Sequence, residues 1–323
     1  MDDKIIIFIS SVMASVGVIY IYMALAKKYQ IVDVPNKRSS HQAVVVRGAG
    51  VVFPIAVIVA GLISQVSLAF IVGMAVLAII SFADDIKSMA AGLRLSVHFI
   101  GTVLILLAAN FFQLHALTVA ACLIIATGIL SAFNFMDGIN GITGAYGLGV
   151  LASFLLIHSL ALASLQLPIQ LMLVMMASLV AFLFFNFRKR ALCFAGDVGS
   201  VCLAAFLIYL LAIAIYSTRD FRWIGFISIY GIDSVITILF RLARRENIFQ
   251  PHRTHFYQFL ANEHQLPHLW ISLAYGGLQL GLNAFYMGVL YNAGYLAWFL
   301  FMGLQVIVYL ILRVTFTPKY SQP

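Results

Sequence analysis

The sequence predicts an all-α membrane protein with about eleven transmembrane helices. Of its 323 residues, 63% are hydrophobic and 9% are charged, and the mean hydropathy is +1.04. Soluble domains of ordinary composition are far more polar. Apolar stretches follow one another from Ile5 to Leu312 with short polar interruptions. We therefore expect one membrane domain over residues 1–323.

The predicted helices coincide with apolar stretches that are long enough to cross the hydrocarbon core of a bilayer. Polar or Gly-containing segments separate many of these stretches. In chain order the predicted spans are 5–26, 49–66, 67–83, 95–111, 114–133, 142–163, 167–186, 199–216, 223–240, 269–290 and 294–313.

The basic residues are concentrated in loops that alternating spans place on one face. Of the 19 lysines and arginines, all but Lys4, Arg219 and Arg222 fall there. These loops are 27–48, 84–94, 134–141, 187–198 and 241–268, with the tail after residue 313. Because basic loops stay in the cytoplasm, we expect the N-terminus outside and the C-terminus inside. The net charge of +8 thus reflects membrane topology, and no nucleic-acid partner is expected.

Two adjacent carboxylates, Asp84 and Asp85, follow an apolar run that ends at Ala83. Adjacent carboxylates repel each other unless a cation or a proton separates them, and hard divalent ions such as Mg²⁺ prefer oxygen ligands. The pair therefore indicates a metal or catalytic site. The alternative is a helix that ends in solvated charges.

A polar segment ends the fifth predicted span. Asn134, Asp137 and Asn140 recur at a spacing that keeps them on one broad face of a helix. Gly138 and Gly141 would let the backbone approach a phosphate or close a turn. A turn that only caps the helix is the alternative.

A single carboxylate, Asp197, lies between glycines immediately before the eighth predicted span. It can cap the helix. It can equally bind a metal ion close to a diphosphate, because the amino end of a helix attracts anions.

The largest basic loop contains His252, Arg253 and His255. Two histidines with an arginine between them form a compact set of donors for phosphate oxygens. A zinc site is not expected, because the sequence has no third protein ligand nearby. The alternative is a basic loop that lies on anionic lipid head groups.

Together, these motifs resemble the polyprenyl-phosphate N-acetylhexosamine-1-phosphate transferases. This family includes the UDP-GlcNAc:undecaprenyl-phosphate transferase and the phospho-MurNAc-pentapeptide transferase of peptidoglycan synthesis. The resemblance extends over nearly the whole chain. Beyond the motifs above, it rests on Asp33, Pro35, Asn36, Arg38, Ser39, Ser40, His41, residues 47–50, Asn186 and residues 196–200.

The His loop reads His-Arg-Thr-His-Phe-Tyr-Gln and lacks the triple-His run of the peptidoglycan enzyme. The resemblance is therefore strongest to the branch that starts O-antigen or capsule-type glycans, and it argues against a pentapeptide substrate. At position 140 the family usually has Asp, so Asn140 puts a charge-dependent role there in question.

The resemblance implies transfer of N-acetylhexosamine-1-phosphate from a UDP-sugar to undecaprenyl or another polyprenyl phosphate, with release of UMP. It implies a multi-pass protein of the bacterial inner membrane whose active site faces the cytoplasm. Mg²⁺ is the expected cofactor, with Mn²⁺ as a possible substitute. The expected partners are the UDP-N-acetylated sugar, the polyprenyl phosphate and the lipid bilayer, and a homodimer is possible.

The resemblance also implies roles for single residues. Catalytic roles are expected for Asp84, Asp85, Asp137 and Asp197, with Asp197 and Asp85 as metal ligands. Substrate binding is expected for Lys37, Arg38, Ser40, His41, Asn134, Asn140, Asn186, His252, Arg253 and His255.

A membrane transporter or flippase of lipid-linked or anionic substrates is the alternative function. Such a protein should place ionisable residues near the middle of the membrane. Most acidic residues of this chain instead lie at the ends of predicted spans. The ionisable residues inside predicted spans include Asp233, His98 and His158.

Overall fold

The computed structural model describes residues 3–35, 44–160, 165–247 and 252–316. The protein is 81% helical, which confirms the predicted all-α class. The helices are α1 (Asp3–Lys28), α2 (Val52–Ile63), α3 (Leu68–Ile86), α4 (Ala91–Ala108), α5 (Ala116–Met136), α6 (Ile142–Ser159), α7 (Ile169–Asn186), α8 (Gly196–Thr218), α9 (Ser228–Ala243), α10 (Phe256–Gln258), α11 (His268–Phe285) and α12 (Gly294–Phe316). Two short antiparallel strands, β1 (Val32–Asp33) and β2 (Val45–Val46), pair in the first loop.

Nine helical segments within the described ranges are long and apolar enough to cross a membrane. One of them, His268–Phe316, contains both α11 and α12, which are joined by a π-helical and a 3₁₀ turn. Helix α2 belongs to a shorter apolar segment, Ala49–Ile63. The chain is thus a multi-pass membrane protein, whereas the number of crossings and their orientation stay predictions.

Helix α8 is the centre of the bundle. In its most apolar stretch, 94% of the residues are buried, and the helix packs against α2, α3, α4, α5 and α6. A helix that is apolar on every side is stable in this position because each side contacts another helix. As a result, the amino end of α8 lies amid the ends of its neighbours.

Helices α1 and α12 lie at the periphery. Helix α1 packs mainly on α7, where the hydroxyls of Ser15 and Ser178 are 3.1 Å apart. On helix α12, Arg313 is buried, whereas Leu296 and Val314 are exposed. Such apolar outer faces suit contact with lipid chains.

Contacts between loops place the described parts of the predicted basic-face loops at one end of the bundle. Backbone or side-chain bonds join Val46 to Cys193, Asp85 to Asp197, Asn140 to Arg188, Tyr257 to Phe135, and Arg313 to Thr254. The described parts of these loops therefore lie together, as predicted. The side of the membrane that they face stays a prediction.

Most helices begin or end a few residues away from the predicted spans, and two of these differences affect the acidic residues. Helix α3 continues to Ile86, so Asp84 and Asp85 lie in its last turn instead of following it. Helix α8 begins at Gly196, so Asp197 lies in its first turn. Carboxylates are tolerated in these apolar helices because each has hydrogen-bond partners from other segments.

Candidate active site

The amino end of α8 is capped by a carboxylate from another helix. Asp85 accepts hydrogen bonds from the backbone N–H groups of Asp197 at 2.9 Å and Val198 at 3.0 Å. The first N–H groups of a helix lack partners within it, and the helix dipole favours a negative charge there. Gly196 has a φ of +73°, and a Cβ there would lie 2.5 Å from Asp85 Oδ2. The cap thus comes from Asp85, and the carboxylate of Asp197 makes other contacts.

Arg47 joins two of the carboxylates. Its Nε donates to Asp85 Oδ1 at 2.7 Å and its Nη2 donates to Asp197 Oδ1 at 2.8 Å. The backbone N–H of Phe194 donates to the carbonyl of Val46 at 2.8 Å, so the first loop runs beside the segment that enters α8. Burial opposes the charge of Arg47, but Asp85 and Asp197 outweigh it and raise the pKa of the guanidinium.

A second arginine, Arg94 of α4, reaches the third carboxylate. Its Nη1 lies 3.3 Å from Asp84 Oδ2 and 3.9 Å from Asp197 Oδ2. Asp84 also accepts a hydrogen bond from the backbone N–H of Met89. The side chains of Arg47 and Arg94 are 33% and 34% exposed, whereas that of Asp84 is 4% exposed. We define the acidic cluster as Asp84, Asp85, Asp197, Arg47 and Arg94.

The last turn of α5 borders the acidic cluster. Asn134 Nδ2 donates to Asp197 Oδ2 at 3.0 Å. Asp137 follows the helix and accepts a hydrogen bond from the Thr143 hydroxyl at 2.6 Å. Burial raises the pKa of Asp137 to about 6, although the bond from Thr143 opposes this. This carboxyl group therefore titrates close to neutral pH.

Two buried asparagines hold the turn after α5 in place. Asn140 Nδ2 donates to the carbonyl oxygens of Arg188 and its successor, at 2.8 and 3.3 Å. Asn186 accepts from the N–H of Gly141 at 2.6 Å and donates to the carbonyl of Cys193 at 2.8 Å. Position 140 thus uses an amide, because a carboxylate has no hydrogen to offer these carbonyls.

A second polar group surrounds Asp233 of α9, whose side chain is fully buried. His255 Nδ1 lies 3.1 Å from Asp233 Oδ1, and the N–H of Phe256 donates to the same oxygen at 3.2 Å. The hydroxyls of Tyr275 and Tyr309 donate to this carboxylate at 3.0 and 3.2 Å. We define the Asp233 cluster as Asp233, Thr237, His255, Phe256, Tyr275, Tyr309 and Arg313.

The last turn of α5 contacts both clusters. The hydroxyl of Tyr257 donates to the carbonyl of Phe135 at 2.9 Å, and the neighbouring Asn134 contacts the acidic cluster. The ring of Phe135 lies 6.1 Å from that of His252 and 6.2 Å from that of His255. The carboxylates and the loop histidines therefore belong to one region at one end of the bundle.

His252 is partly buried beside His255, and the centres of their rings are 4.9 Å apart. Its Nδ1 lies 3.0 Å from the Thr254 hydroxyl. Burial lowers the pKa of His252 to about 3, and nearby positive charges, including Arg241, act in the same direction. The ring is therefore neutral at physiological pH and can meet a phosphate as an uncharged donor.

No group of three or more histidines, cysteines, aspartates or glutamates in the described parts of the chain is arranged to hold a metal ion. Mg²⁺ commonly takes one or two carboxylates together with waters and substrate phosphates. Asp84 and Asp197 both approach Nη1 of Arg94 and offer such a pair of oxygen donors. The donor set therefore fits Mg²⁺ that binds jointly with a substrate.

The chain is similar to known membrane transferases. Residues 67–216 match the family described as glycosyl transferase family 4. The chain is 26% identical over 281 residues to a probable undecaprenyl-phosphate N-acetylglucosaminyl 1-phosphate transferase of Bacillus subtilis (strain 168), which covers 79% of this chain and 76% of that protein. It is 32% identical over 127 residues to a phospho-N-acetylmuramoyl-pentapeptide-transferase of Symbiobacterium thermophilum, which covers 38% of this chain and 36% of that protein.

This match and these two relatives support the polyprenyl-phosphate N-acetylhexosamine-1-phosphate transferase family. The matched region contains all the catalytic carboxylates that the sequence predicts, and it excludes the His loop. The structure brings Asp84, Asp85 and Asp197 together, with Asn134 and Asp137 at their border. The predicted substrate-binding residues Lys37, Arg38, Ser40 and His41 lie outside the described residues.

The remaining predicted substrate-binding residues differ in burial and in the hydrogen bonds that their side chains already make within the protein. The side-chain amides of Asn140 and Asn186 are already bound within the protein. Arg253 is partly exposed, and His255 is buried, with no hydrogen-bond partner for Nε2 among the described residues. Their roles in binding substrate stay predictions.

Sequence reasoning missed three charged partners. Arg47 lay within the resemblance but had no assigned role, and Arg94 had none either. Asp233 was noted only as an ionisable residue inside a span, although it is the partner of His255. Their positions in the sequence could have indicated these contacts. An unpaired charge next to apolar helix segments costs free energy, so each of these residues needs a partner of opposite charge.

Proposed function

We propose that this protein transfers N-acetylhexosamine-1-phosphate from a UDP-sugar to a polyprenyl phosphate and releases UMP. The observation that supports this most is the meeting of the acidic cluster and the loop histidines at the last turn of α5. One group suits a divalent cation and the other suits phosphate oxygens. The names of the two relatives support the same class of reaction.

The reaction joins two anions, so reducing their repulsion and positioning them should supply most of the catalysis. An oxygen of the lipid phosphate attacks the sugar-linked phosphorus, the bond from that phosphorus to the UMP oxygen breaks, and UMP leaves with the electron pair. A phosphate monoester has a second pKa of about 6 and is largely dianionic at neutral pH. It therefore needs little help from a base, and Asp84 is the residue we assign to accept a residual proton.

We infer Mg²⁺ as the cofactor, with Mn²⁺ as a possible substitute. Asp197 would hold it, with Asp84 or Asp85 as a second ligand. Asp85 already accepts three hydrogen bonds from Arg47 and the amino end of α8, which favours Asp84 as the companion of Asp197. When bound, the cation would neutralise charge on the diphosphate.

His252, Arg253 and His255 would bind the UDP phosphates, and Asn134 and Asp137 would line the nucleotide side. The basic first loop would meet the lipid phosphate. The prenyl chain is too apolar to leave the bilayer, so a site at helix ends suits this acceptor. We propose that this end faces the cytoplasm of a bacterial inner membrane, because it holds most of the basic residues.

We also propose that the product starts an O-antigen, a capsule or a related envelope glycan. A homodimer is compatible with this function. The pathway assignment is supported by the His-Arg-Thr-His sequence in the loop, which differs from three consecutive histidines. The alternative of a transporter has weaker support. Asp233, an acidic residue inside a span, is bound to the His loop, so its charge has a partner within the protein.

The direct test uses the purified protein in detergent with undecaprenyl phosphate, MgCl₂ and a panel of UDP-sugars. UDP-GlcNAc comes first, because the Bacillus subtilis relative is named for that sugar, and UDP-GalNAc and UDP-MurNAc-pentapeptide complete the panel. We expect UMP release and a lipid-linked product with an N-acetylhexosamine, and loss of both on chelation of the metal. A folded protein that releases no UMP with any of these donors contradicts the proposal.

A further inference from the structure

The hydrogen-bond pattern around Asp233 shows which neighbouring groups carry hydrogens that point at its carboxylate. Nη1 of Arg313 donates to Thr237 Oγ1 at 2.7 Å and also to the hydroxyl of Tyr309. An arginine can only donate, so both hydroxyls must direct their own hydrogens elsewhere. Each of them lies 3.2 Å from Asp233 Oδ1.

These hydroxyl hydrogens therefore point at Asp233, which is then an acceptor. The N–H of Phe256 donates to the same oxygen at 3.2 Å, and Arg313 adds a positive charge at 4.0 Å. A fully buried carboxyl group with this many donors is an ionised carboxylate. It follows that His255 Nδ1, at 3.1 Å, carries a hydrogen and donates it to Asp233.

The opposite nitrogen of His255 is left for a ligand. Nε2 is buried and has no hydrogen-bond partner among the described residues. The backbone N–H of His255 is held by Gln258 Oε1 at 3.2 Å, so the ring is fixed from both its backbone and its Nδ1. A buried polar nitrogen without a hydrogen-bond partner costs free energy. Because the ring is held in a fixed position at the proposed phosphate site, Nε2 is positioned to form a hydrogen bond with the substrate.

We propose that Asp233 is a positioning residue that orients His255 and provides the negative charge that lets it meet the UDP diphosphate as an imidazolium. This rests on the proposed function. Phosphate oxygens only accept hydrogen bonds, so Nε2 must carry a hydrogen when it contacts one. His255 takes that proton from the solvent as the diphosphate binds. Its Nδ1–H then donates to Asp233, and its Nε2–H donates to a phosphate oxygen.

Other charged or titratable groups lie around this ring and its neighbours His252 and Asp233. They are His252 in the loop, Arg241 on α9, Arg313 on α12, and the phenols of Tyr257, Tyr275 and Tyr309. Arg241 and Arg313 add positive charge to this region. Asp233 supplies the opposing negative charge in direct contact with the ring.

The test is a double-mutant cycle between Asp233→Asn and His255→Gln, read as the Kd for UDP from calorimetry and as kcat/KM for the UDP-sugar. We expect Asp233→Asn to weaken UDP binding by about 10- to 100-fold, as loss of an orienting partner commonly does. In the His255→Gln background the same change should cost at most about twofold, because the residue through which Asp233 acts is already gone.

Tyr275→Phe is the matched control. It removes the hydrogen bond to Asp233 Oδ2, which lies on the oxygen that His255 does not use. If Asp233 only ties helices together, Tyr275→Phe and Asp233→Asn should reduce binding in proportion to their losses of thermal stability. We expect Tyr275→Phe to change the Kd for UDP by at most about threefold.

A second measurement does not depend on the folding of Asp233→Asn. In wild-type protein with ¹⁵N-labelled histidine, the signal that is lost in His255→Gln should show the imidazolium form after addition of UDP. A neutral His255 ring in the UDP complex overturns the inference. Equal effects of Asp233→Asn in both backgrounds of the cycle overturn it as well.

The outcomes separate this inference from the proposed function. A wild-type protein that neither binds UDP nor transfers a sugar phosphate overturns both. A wild-type protein that binds UDP and is active, but whose cycle is additive, overturns only the role of Asp233.

Discussion

The acidic cluster and the Asp233 cluster hold buried negative charge in different ways. In the acidic cluster, three carboxylates share two arginines whose side chains are about one-third exposed. In the Asp233 cluster, one fully buried carboxylate receives a backbone N–H, three hydroxyls, an imidazole and an arginine. The first cluster has excess negative charge next to solvent, and the second has its charge matched by fixed donors.

This difference indicates how one residue type serves two purposes. A carboxylate whose cationic partner is exposed can exchange that partner for another cation at little cost. A carboxylate enclosed by donors on several helices cannot, because moving any of them leaves a buried charge unpaired. The acidic cluster therefore suits binding and chemistry, and the Asp233 cluster suits orientation.

The largest expected effect is on stability, and it comes from removing one arginine of the Asp233 cluster. Arg313→Met should cost about 3–5 kcal/mol, because it breaks a buried pair and leaves Asp233 without its cation. Thermal unfolding in detergent, with retention of the soluble fraction as the readout, measures this loss. Millimolar MgCl₂ should not restore it.

Arg47→Met is the matched variant in the acidic cluster. It removes the guanidinium between Asp85 and Asp197, and its destabilisation should be relieved by millimolar MgCl₂, since the metal can take the place of the lost charge. If MgCl₂ stabilises both variants equally, or neither, the contrast between an exchangeable and a fixed cation is wrong.

The next effect is on catalysis. Asp197→Asn should lower activity by at least about a hundredfold, the order expected when a transition-state electrostatic contact is lost. Folding should be nearly unchanged, because Asp85 and not Asp197 caps α8, and an amide can still accept the bond from Asn134. Kinetics at saturating MgCl₂ and thermal unfolding of the same sample provide the two readouts. Activity within a few-fold of wild type would remove Asp197 from the metal site.

A smaller effect is expected at the turn after α5. Asn140→Asp should lower stability by about 1–3 kcal/mol, because the carboxylate would face the two carbonyls that the amide now satisfies. Asn140→Ala is the control, since it removes the donor without adding a charge. Thermal unfolding should rank the wild type above the Ala variant and the Ala variant above the Asp variant. An Asp variant as stable as wild type would show that the amide is not needed.

The smallest effect concerns pH. Burial raises the pKa of Asp137 to about 6, so between about pH 4 and 6 the folded protein binds this proton more tightly than the unfolded chain. The contribution of Asp137 to stability is therefore full at low pH and is lost as pH rises through this window. Asp137→Asn does not titrate, so its unfolding temperature relative to wild type should rise between pH 4 and pH 6.5 and then level off. A difference that is constant with pH would contradict the raised pKa.

Much of the architecture could be predicted from hydropathy, because the free energy of placing a residue in lipid or water is a local property. The all-α class and the grouping of the basic loops at one end follow from it. The ends of α3 and α8 could not be placed in this way. Asp84, Asp85 and Asp197 read as polar residues outside a helix, yet their partners allow the helices to include them.

The candidate site was predictable in its residue types and less so in its pairings. The predicted carboxylates Asp84, Asp85 and Asp197 do converge. The alternative that Asp197 caps its own helix was reasonable from a Gly-Asp pattern, but the cap comes from Asp85, which precedes it by 112 residues. Asn140 looked like a weakened carboxylate, and in the structure its amide performs a task that a carboxylate cannot.

Hydropathy and charge patterns in the sequence are sufficient to predict a multi-pass α-helical membrane protein whose acidic, basic and histidine motifs occupy the loops and helix ends of one face. The pairing of these charges became visible in the folded protein, where Arg47 contacts Asp85 and Asp197, and His255 contacts Asp233. The reason is physical. Burial in lipid depends on each segment alone, whereas an ion pair forms only where packed helices bring two distant side chains within hydrogen-bond distance.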